Sequence, residues 1–433
     1  MMPFRCLMQA RIESARRAAS QLSRNCQSRQ ENGPLPDWYR RHLKFPRRSL
    51  VNGRSLVASM MMALFLLASC GQGPAAGRVA ITRTAEPKIG MVLDVGGRAD
   101  LALNRTAYDG VLRLAESLRG WIAGDPAANF GGNIDIRVLE TDATGSDRET
   151  LLRSLAEEGR NLVIAVGFFF STTMAAIARD FPDTDFLLID GYTPDLTTMS
   201  NIVCAQFAEQ ESAFMAGAFA GRLAAREGPT AKVGFVGGMD MPIMRKHLAG
   251  FSAGAAWTNR ALQPTGAILS AFVGRGADAF ADPKRAAEFA SALFQTGNAV
   301  IIYQAAGASG KGVFNSAARF GRKALGSDAD QAMLYAASGD PDMRSLAPLI
   351  VMSTLKRVDK VIYDAGFELA SGFRLVGGYR TYTLADGGVG YTTEGIERED
   401  LVALSGIAHL VVDGDIIVPT DAVETADFLA RLR

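Results

Sequence analysis

Ile89-Gly90-Met91-Val92-Leu93-Asp94-Val95-Gly96-Gly97 is the stretch on which the fold turns: a short apolar run followed at once by a carboxylate and a flexible glycine pair. A run this short and this apolar suits a strand buried on both faces, as in a parallel sheet covered by helices. Outward from it the pattern alternates. Helical periodicity over 103–118 is followed by a strand at 134–139, a helix at 149–158, a strand at 162–166, a helix at 172–179 and a strand at 186–189. A strand at 201–206 and a long helix at 209–225 come next. The alternation then restarts, with strands at 232–236, 267–273, 299–303 and 323–325 separated by helices at 243–259, 283–295 and 313–320. Such alternation predicts βαβ units and parallel sheets, hence an α/β protein of two successive lobes. A strand at 349–353, a helix at 356–369 and a strand near 379–383 remain after both series, so the chain is expected to cross back between the lobes. The segment 394–433 reads as an extension whose apolar runs at 410–412 and 416–418 form a hairpin around Asp413-Gly414-Asp415.

The 433 residues are 48% hydrophobic and carry a net charge of +1, enough for a sizeable core and two or three domains. That neutrality hides an asymmetry. Residues 1–69 hold 12 Lys/Arg against 3 Asp/Glu, leaving 34 against 42, or −8, for the rest. Arg54 precedes the apolar run Leu56 to Leu67, too short for a comfortable span of about 20 residues but suited to a secretory signal. Leu67-Ala68-Ser69-Cys70 resembles the bacterial lipobox, in which the cysteine becomes the lipidated first residue of the mature chain. Residues 1–50 lack regular apolar periodicity, and Val51 is a plausible true start. Gly71 to Gly77 is rich in Gly, Pro and Ala and reads as a tether. With Cys6 and Cys26 in the leader, only Cys70 and Cys204 remain, which leaves no disulfide framework or cysteine-based metal site.

Three motifs carry possible chemistry. Asp94 to Gly97, with Asp100 and Asn104 following, gathers carboxylate, amide and flexible backbone at the end of a strand, where open α/β sheets bind ligands. A turn with an Asp helix cap is the plainer reading. Ala305 to Gly312 follows a strand but departs from a P-loop at Ala305 and Gly312, which argues against phosphate hydrolysis. Gly250-Phe251-Ser252-Ala253-Gly254 matches the nucleophile elbow of serine hydrolases, but Ser252 falls inside a helical segment, where small residues more simply permit close packing. His247 and His409 are too dispersed for a metal site.

Taken in order, several segments resemble the basic membrane protein (BMP) family of ABC-transporter substrate-binding lipoproteins, which includes purine-nucleoside receptors. They are Asp94 to Gly97 with Asn104, Val166-Gly167-Phe168, Phe207 to Gly217, Val233 to Met239, Gly307 to Phe314, Ser353 to Asp359 and Asp386 to Gly390. The resemblance implies a type I periplasmic-binding fold, with two Rossmann-like lobes joined by a three-strand hinge and a ligand closed in the interlobe cleft. It divides the chain into lobe 1 (88–206 plus about 350–376) and lobe 2 (207–349 plus about 377–393). It assigns Asp94, Asn104, Gly307, Asp328 and Lys356 to the polar side of the ligand site, with Asp330 as second choice beside Asp328. On the base-recognition side this chain has Leu103 and His247 where the family has phenylalanines, and Thr172 where it has an acid. His247 is expected either to stack on the ligand or to lie on a helix surface, and Phe168, Phe169 or Phe170 to supply an aromatic wall. The resemblance further implies no enzymatic activity. It calls for no cofactor, metal or nucleic acid, and for partners in a small polar ligand such as a nucleoside, an ABC permease and ATPase, and the membrane through lipid on Cys70. A signalling receptor for another small molecule and a Ser252 hydrolase are the alternatives.

Overall fold

A computed structural model of the protein describes residues 87–432 apart from 133 and 265; the leader, the Cys70 motif and the tether lie outside the described residues. The first sheet is built from β1 (Lys88–Leu93), β2 (Trp121–Ile122), β3 (Asp135–Glu140), β4 (Leu162–Val166), β5 (Asp185–Ile189), β6 (Ile202–Phe207) and the late strand β12 (Gly378–Tyr382). Its order is β12-β6-β5-β4-β1-β3-β2, and every pairing is parallel. The second sheet takes β7 (Lys232–Met239), β8 (Ile268–Gly274), β9 (Ala299–Ala305), β10 (Lys323–Gly326), β11 (Ile350–Lys356) and β13 (Val389–Tyr391), in the order β13-β11-β10-β9-β7-β8. Only β13 runs antiparallel there. This is the two-lobed parallel α/β architecture expected.

Helices cover both faces of each sheet. Helix α1 (Leu103–Leu118) repeats small or apolar residues at Ala107, Val111, Leu114 and Ala115, a helical stripe that faces the first sheet. Helices α2 (Arg148–Glu157) and α3 (Ser171–Asp180) bury Leu152, Leu155, Met174 and Ile177 against the opposite face. In the second lobe α4 (Glu209–Glu227) and α5 (Pro242–Thr258) cover one face, and α6 (Pro283–Gln295), α7 (Gly310–Phe320) and the short α8 (Gln331–Ala336) and α9 (Pro341–Leu346) lie with the other. The glycines of the apparent nucleophile elbow are helix-packing residues. A Cβ on Gly250 would fall 2.1 Å from Gln210 O, and one on Gly254 would fall 2.0 Å from Phe214 O, so α5 could not lie this close to α4 with larger residues. Ser252 sits mid-helix, not at a strand-to-helix turn.

Two expectations about the last 85 residues are corrected. Strand β11, assigned from sequence to lobe 1, pairs with β10 and β13 in the second sheet, and β12, assigned to lobe 2, pairs with β6 in the first. The chain therefore crosses near Phe207, after Lys356 and again between Tyr382 and Val389. Helix α10 (Val358–Ala370), between the last two crossings, packs on α1, where a Cβ on Gly110 would meet Asp359 backbone at 2.7 Å. The tail forms no hairpin. It folds as α11 (Arg398–Val412) and α12 (Ala422–Arg431), because Leu404, Ile407 and Val411 recur at helical spacing and bury one face in the second lobe. Asp400 is buried and paired to Arg222 Nε at 2.5 Å and Arg226 Nη2 at 2.8 Å on α4. Phe428 of α12 lies 6.0 Å from both Phe214 and Trp257.

Candidate functional site

Parallel strands end on a common edge, so the residues just after β1, β4, β5, β7, β9, β10 and β11 all converge on the cleft between the sheets. The cleft encloses about 830 Å³ counting its open mouth. Asp94, Phe168 and Asp190 reach it from the first lobe; Met241, Gly307, Asp328 and Lys356 reach it from the second.

Asp94 is buried and held from several sides. Its Oδ1 accepts Val95 N–H at 2.8 Å and Arg148 Nε–H at 2.8 Å, with Arg148 Nη2 2.6 Å away. Asn104 clamps the same turn: its Oδ1 accepts Asp94 N–H at 3.2 Å, and its Nδ2 donates to the carbonyls of Asp94 and Val95 at 3.3 Å each. Both Nδ2 hydrogens are thereby used, and Asn104 shapes the loop more than it offers donors to the cleft. Leu103 and Phe168 line the wall beside it. Gly307 adopts a left-handed φ of 54° at the start of the turn before α7, and a Cβ there would stand 3.3 Å from Phe280 O.

Lys356 is the centre of a buried charge cluster. Its Nζ lies 2.7 Å from Asp190 Oδ2, 3.2 Å from Glu209 Oε1 and 5.4 Å from the Phe207 ring centroid. Burial alone would lower its pKa, but Asp190, Glu209 and Asp328 raise it well above the usual lysine value, so it stays cationic. Burial pushes the Asp190 carboxyl up to about 6 despite Lys356. Glu209, also pushed up by burial, is pulled below its ordinary value by Lys356 and Lys246. Because Asp190 sits in the first lobe and Lys356 at a crossing, the pair ties the lobes at the hinge.

Asp328 lines the cleft with a φ of 68°, and its carbonyl accepts Lys356 N–H at 2.9 Å. Asp330 caps α8 by accepting Met333 N–H at 3.0 Å and, unlike Asp328, does not line the cleft. Two predicted residues lie elsewhere. Thr172 is exposed on α3 and away from the cavity. His247 neither stacks in the cleft nor lies on the surface: it is buried on the inner side of α5, where Nδ1 and Tyr303 Oη are 2.7 Å apart. Burial lowers its pKa to about 4, so it is neutral at physiological pH. The helical turn carrying it instead presents Met241, Ile243 and Met244 to the cleft. Phe170 belongs to the lobe core, while Phe168, Phe169 and Phe280 supply the aromatic wall.

The sequence did not single out Arg148, Asp190 or Phe280 as wall residues, and it placed Asp100 in the strand-end motif but not in the ligand set. Asp190 directly follows a strand, as Asp94 does, and the same rule would have found it. Arg148 comes from the start of a helix and had no such signal. Leu101 of the first lobe packs against the core of the second, and its carbonyl accepts Gln331 Nε2–H at 3.2 Å. Beside it burial pushes the Asp100 carboxyl up to about 7, with Asp328 adding to the effect.

Two α/β lobes that bring their strand ends to a shared polar cleft form an architecture suited to holding a small solute. The chain belongs to the Bmp family, described as ABC transporter substrate-binding protein, PnrA-like, whose family model matches residues 88–420. Members of this family are not enzymes; they bind small ligands outside the cytoplasm and work with permease and ATPase subunits. Relatives include the ABC transporter nucleoside-binding protein BmpA of Lactococcus lactis, 26% identical over 84% of this chain and 97% of the relative. Another is an uncharacterized lipoprotein of Pyrococcus abyssi, 30% identical over 78% of this chain and 76% of the relative. A solute-binding protein of an Aeropyrum pernix ABC transporter system shares the fold at a TM-score of 0.63 and 24% identity, covering 80% of this chain and 97% of the other.

Proposed function

We propose that this chain is a lipid-anchored receptor that captures a nucleoside in the interlobe cleft and delivers it to an ABC permease. The observation that carries this reading is the chemistry of the cleft wall. Four acidic residues, Asp94, Asp100, Asp190 and Asp328, line a cavity whose two lining cations are already paired, Arg148 to Asp94 and Lys356 to Asp190. Such a wall accepts hydrogen bonds from the hydroxyls of a neutral sugar and offers no unpaired cation to a phosphate. Phe168, Phe169, Phe280, Met241 and Met244 give the other end of the cavity an apolar surface suited to a flat base. The nucleoside-binding relative supports the same ligand class. The ligand set is Asp94, Leu103, Phe168, Gly307, Asp328 and Lys356, with Asn104 holding the Asp94 turn. The lipid anchor rests on Leu67-Ala68-Ser69-Cys70 and on relatives described as lipoproteins.

The test is a melting-temperature screen of ligand-free protein against nucleosides, free bases, sugars and amino acids. A hundredfold excess of ligand over Kd stabilises the bound state by about 2.7 kcal/mol. Nucleosides are expected to raise the melting temperature, and Asp94→Ala and Lys356→Ala to abolish that rise while still folding. A shift with another class and none with nucleosides would overturn the ligand assignment.

A further inference from the structure

We propose that Arg148 is a positioning residue for the ligand, locking the Asp94 carboxylate so that a single oxygen, Oδ2, is presented to a ligand hydroxyl. This rests on the nucleoside reading above. Arg148 and Asp94 are 54 residues apart, and their side chains are only 14% and 13% exposed. The Arg148 Nε and Nη2 atoms both address Oδ1, at 2.8 and 2.6 Å, and Val95 N–H binds the same oxygen at 2.8 Å. Two hydrogen bonds and the close Nη2 approach on one oxygen restrict the carboxylate's rotation and leave Oδ2 beside Gly167, where a Cβ would approach it to 2.9 Å.

The guanidinium is itself held on two further sides. Nη1 donates to Gly145 O at 3.0 Å, and Cζ lies 4.9 Å from the Phe169 ring centroid. Gly145 has a φ of 67°, and a Cβ on it would fall 2.2 Å from Arg148 Cζ, so this turn accepts the guanidinium plane only with glycine. A lysine would keep the charge but lose the planar fork that addresses one oxygen from two nitrogens. Arg148 acts through Asp94: its Nε donates to Oδ1, while Nη2, 2.6 Å from the same oxygen, makes no hydrogen bond of its own. An unrestrained carboxylate would swing between orientations and meet the sugar with less selectivity.

The experiment compares ribonucleosides with their 2′-, 3′- and 5′-deoxy analogues, by calorimetric titration of the wild-type protein, Arg148→Lys, Arg148→Ala and Gly145→Ala. A hydrogen bond to a charged group is worth roughly 10- to 100-fold in affinity. Wild type is expected to show a deoxy penalty of that size at one hydroxyl, and Asp94→Ala to erase it. Both Arg148 variants and Gly145→Ala are expected to cut the penalty to less than about threefold while melting within a few degrees of wild type. Gly145→Ala retains every charge and displaces the guanidinium, with some added strain in the turn at its φ of 67°, so read beside Arg148→Lys it separates geometry from electrostatics. Equal penalties in wild type and the Arg148 variants would overturn the positioning role and leave nucleoside binding intact. A full penalty in Arg148→Lys would show that charge alone suffices and would overturn the geometric argument. Failure of the wild type to bind any nucleoside would overturn the ligand reading and this inference together.

Discussion

Asp100→Asn isolates one buried carboxyl in the wall of the cleft. The side chain is 7% exposed; Oδ2 accepts Asn104 N–H at 3.2 Å, and Oδ1 has no hydrogen-bond partner. The groups facing it are Asn104 on its own lobe and Asp328 and Tyr335 from the other. Burial raises its pKa from 3.8 to about 7, so the folded state holds a proton that the unfolded chain releases. Stability from this group is therefore full below pH 3.8, declines as pH rises, and is lost once pH passes 7. At about 1.36 kcal/mol per unit, a shift of some three units corresponds to about 4 kcal/mol. Asparagine can keep the bond to Asn104 N–H and turns an amide donor toward Asp328. The variant is expected to match wild type at pH 4 and to exceed it by up to about 4 kcal/mol at pH 8, or roughly 8 °C at about 2 °C per kcal/mol for a large domain. Melting curves of both proteins at intervals from pH 4 to 8 make the comparison. A gap that stays constant across that range, or that closes as pH rises, would refute the burial argument.

The opposite slope is expected from His247, whose pKa falls from 6.5 to about 4 on burial. Its contribution is present above pH 6.5 and lost as pH drops through 4, so His247→Gln should remove an acid-side loss of about 3 kcal/mol, read from melting between pH 4 and 7. Truncating Phe428 to Ala empties a site against Phe214 and Trp257 and should cost about 3–5 kcal/mol; unchanged denaturation would mean that α12 is not integral to the second lobe. Gly254→Ala drives a methyl into Phe214 O at 2.0 Å and should destabilise by about 1–3 kcal/mol, whereas Ser252→Ala beside it should change neither stability nor ligand affinity.

Much of the fold was legible because burial periodicity is a local property. The runs at 162–166 and 299–303 and the helical stripe from Ala107 to Ala115 declare strand or helix without reference to any distant residue. The same holds in part for the cleft wall: Asp94 and the Gly307 turn were legible as strand-end positions, because strand ends in parallel sheets share an edge, whereas Asp328 and Lys356 came only from the family resemblance. The tail misled because Leu410-Val411-Val412 is equally a strand run or the last turn of a helix. The period carried by Leu404 and Ile407 decides it, and only a surface on α4 for Asp400 and Leu404 to meet makes that helix stable.

Which distant surfaces meet belongs to tertiary structure alone. Nothing local in β11 or β12 says which sheet they join, since either offers an open parallel edge; the crossings after Lys356 and Tyr382 settle it. His247 shows the limit most plainly: its place in a family pattern suggested the cleft, but the rotation of α5 against Tyr303 turned it inward and gave the wall to Met241 and Met244. The pairs Arg148 with Asp94 and Lys356 with Asp190, separated by 54 and 166 residues, have no sequence signature. A charge's partner is set by where the backbone ends up, whereas a strand's character is set by the residues it contains. The sequence by itself determined the two-lobed α/β fold and the strand edge on which its cleft lies; packing decided which charges pair with one another there.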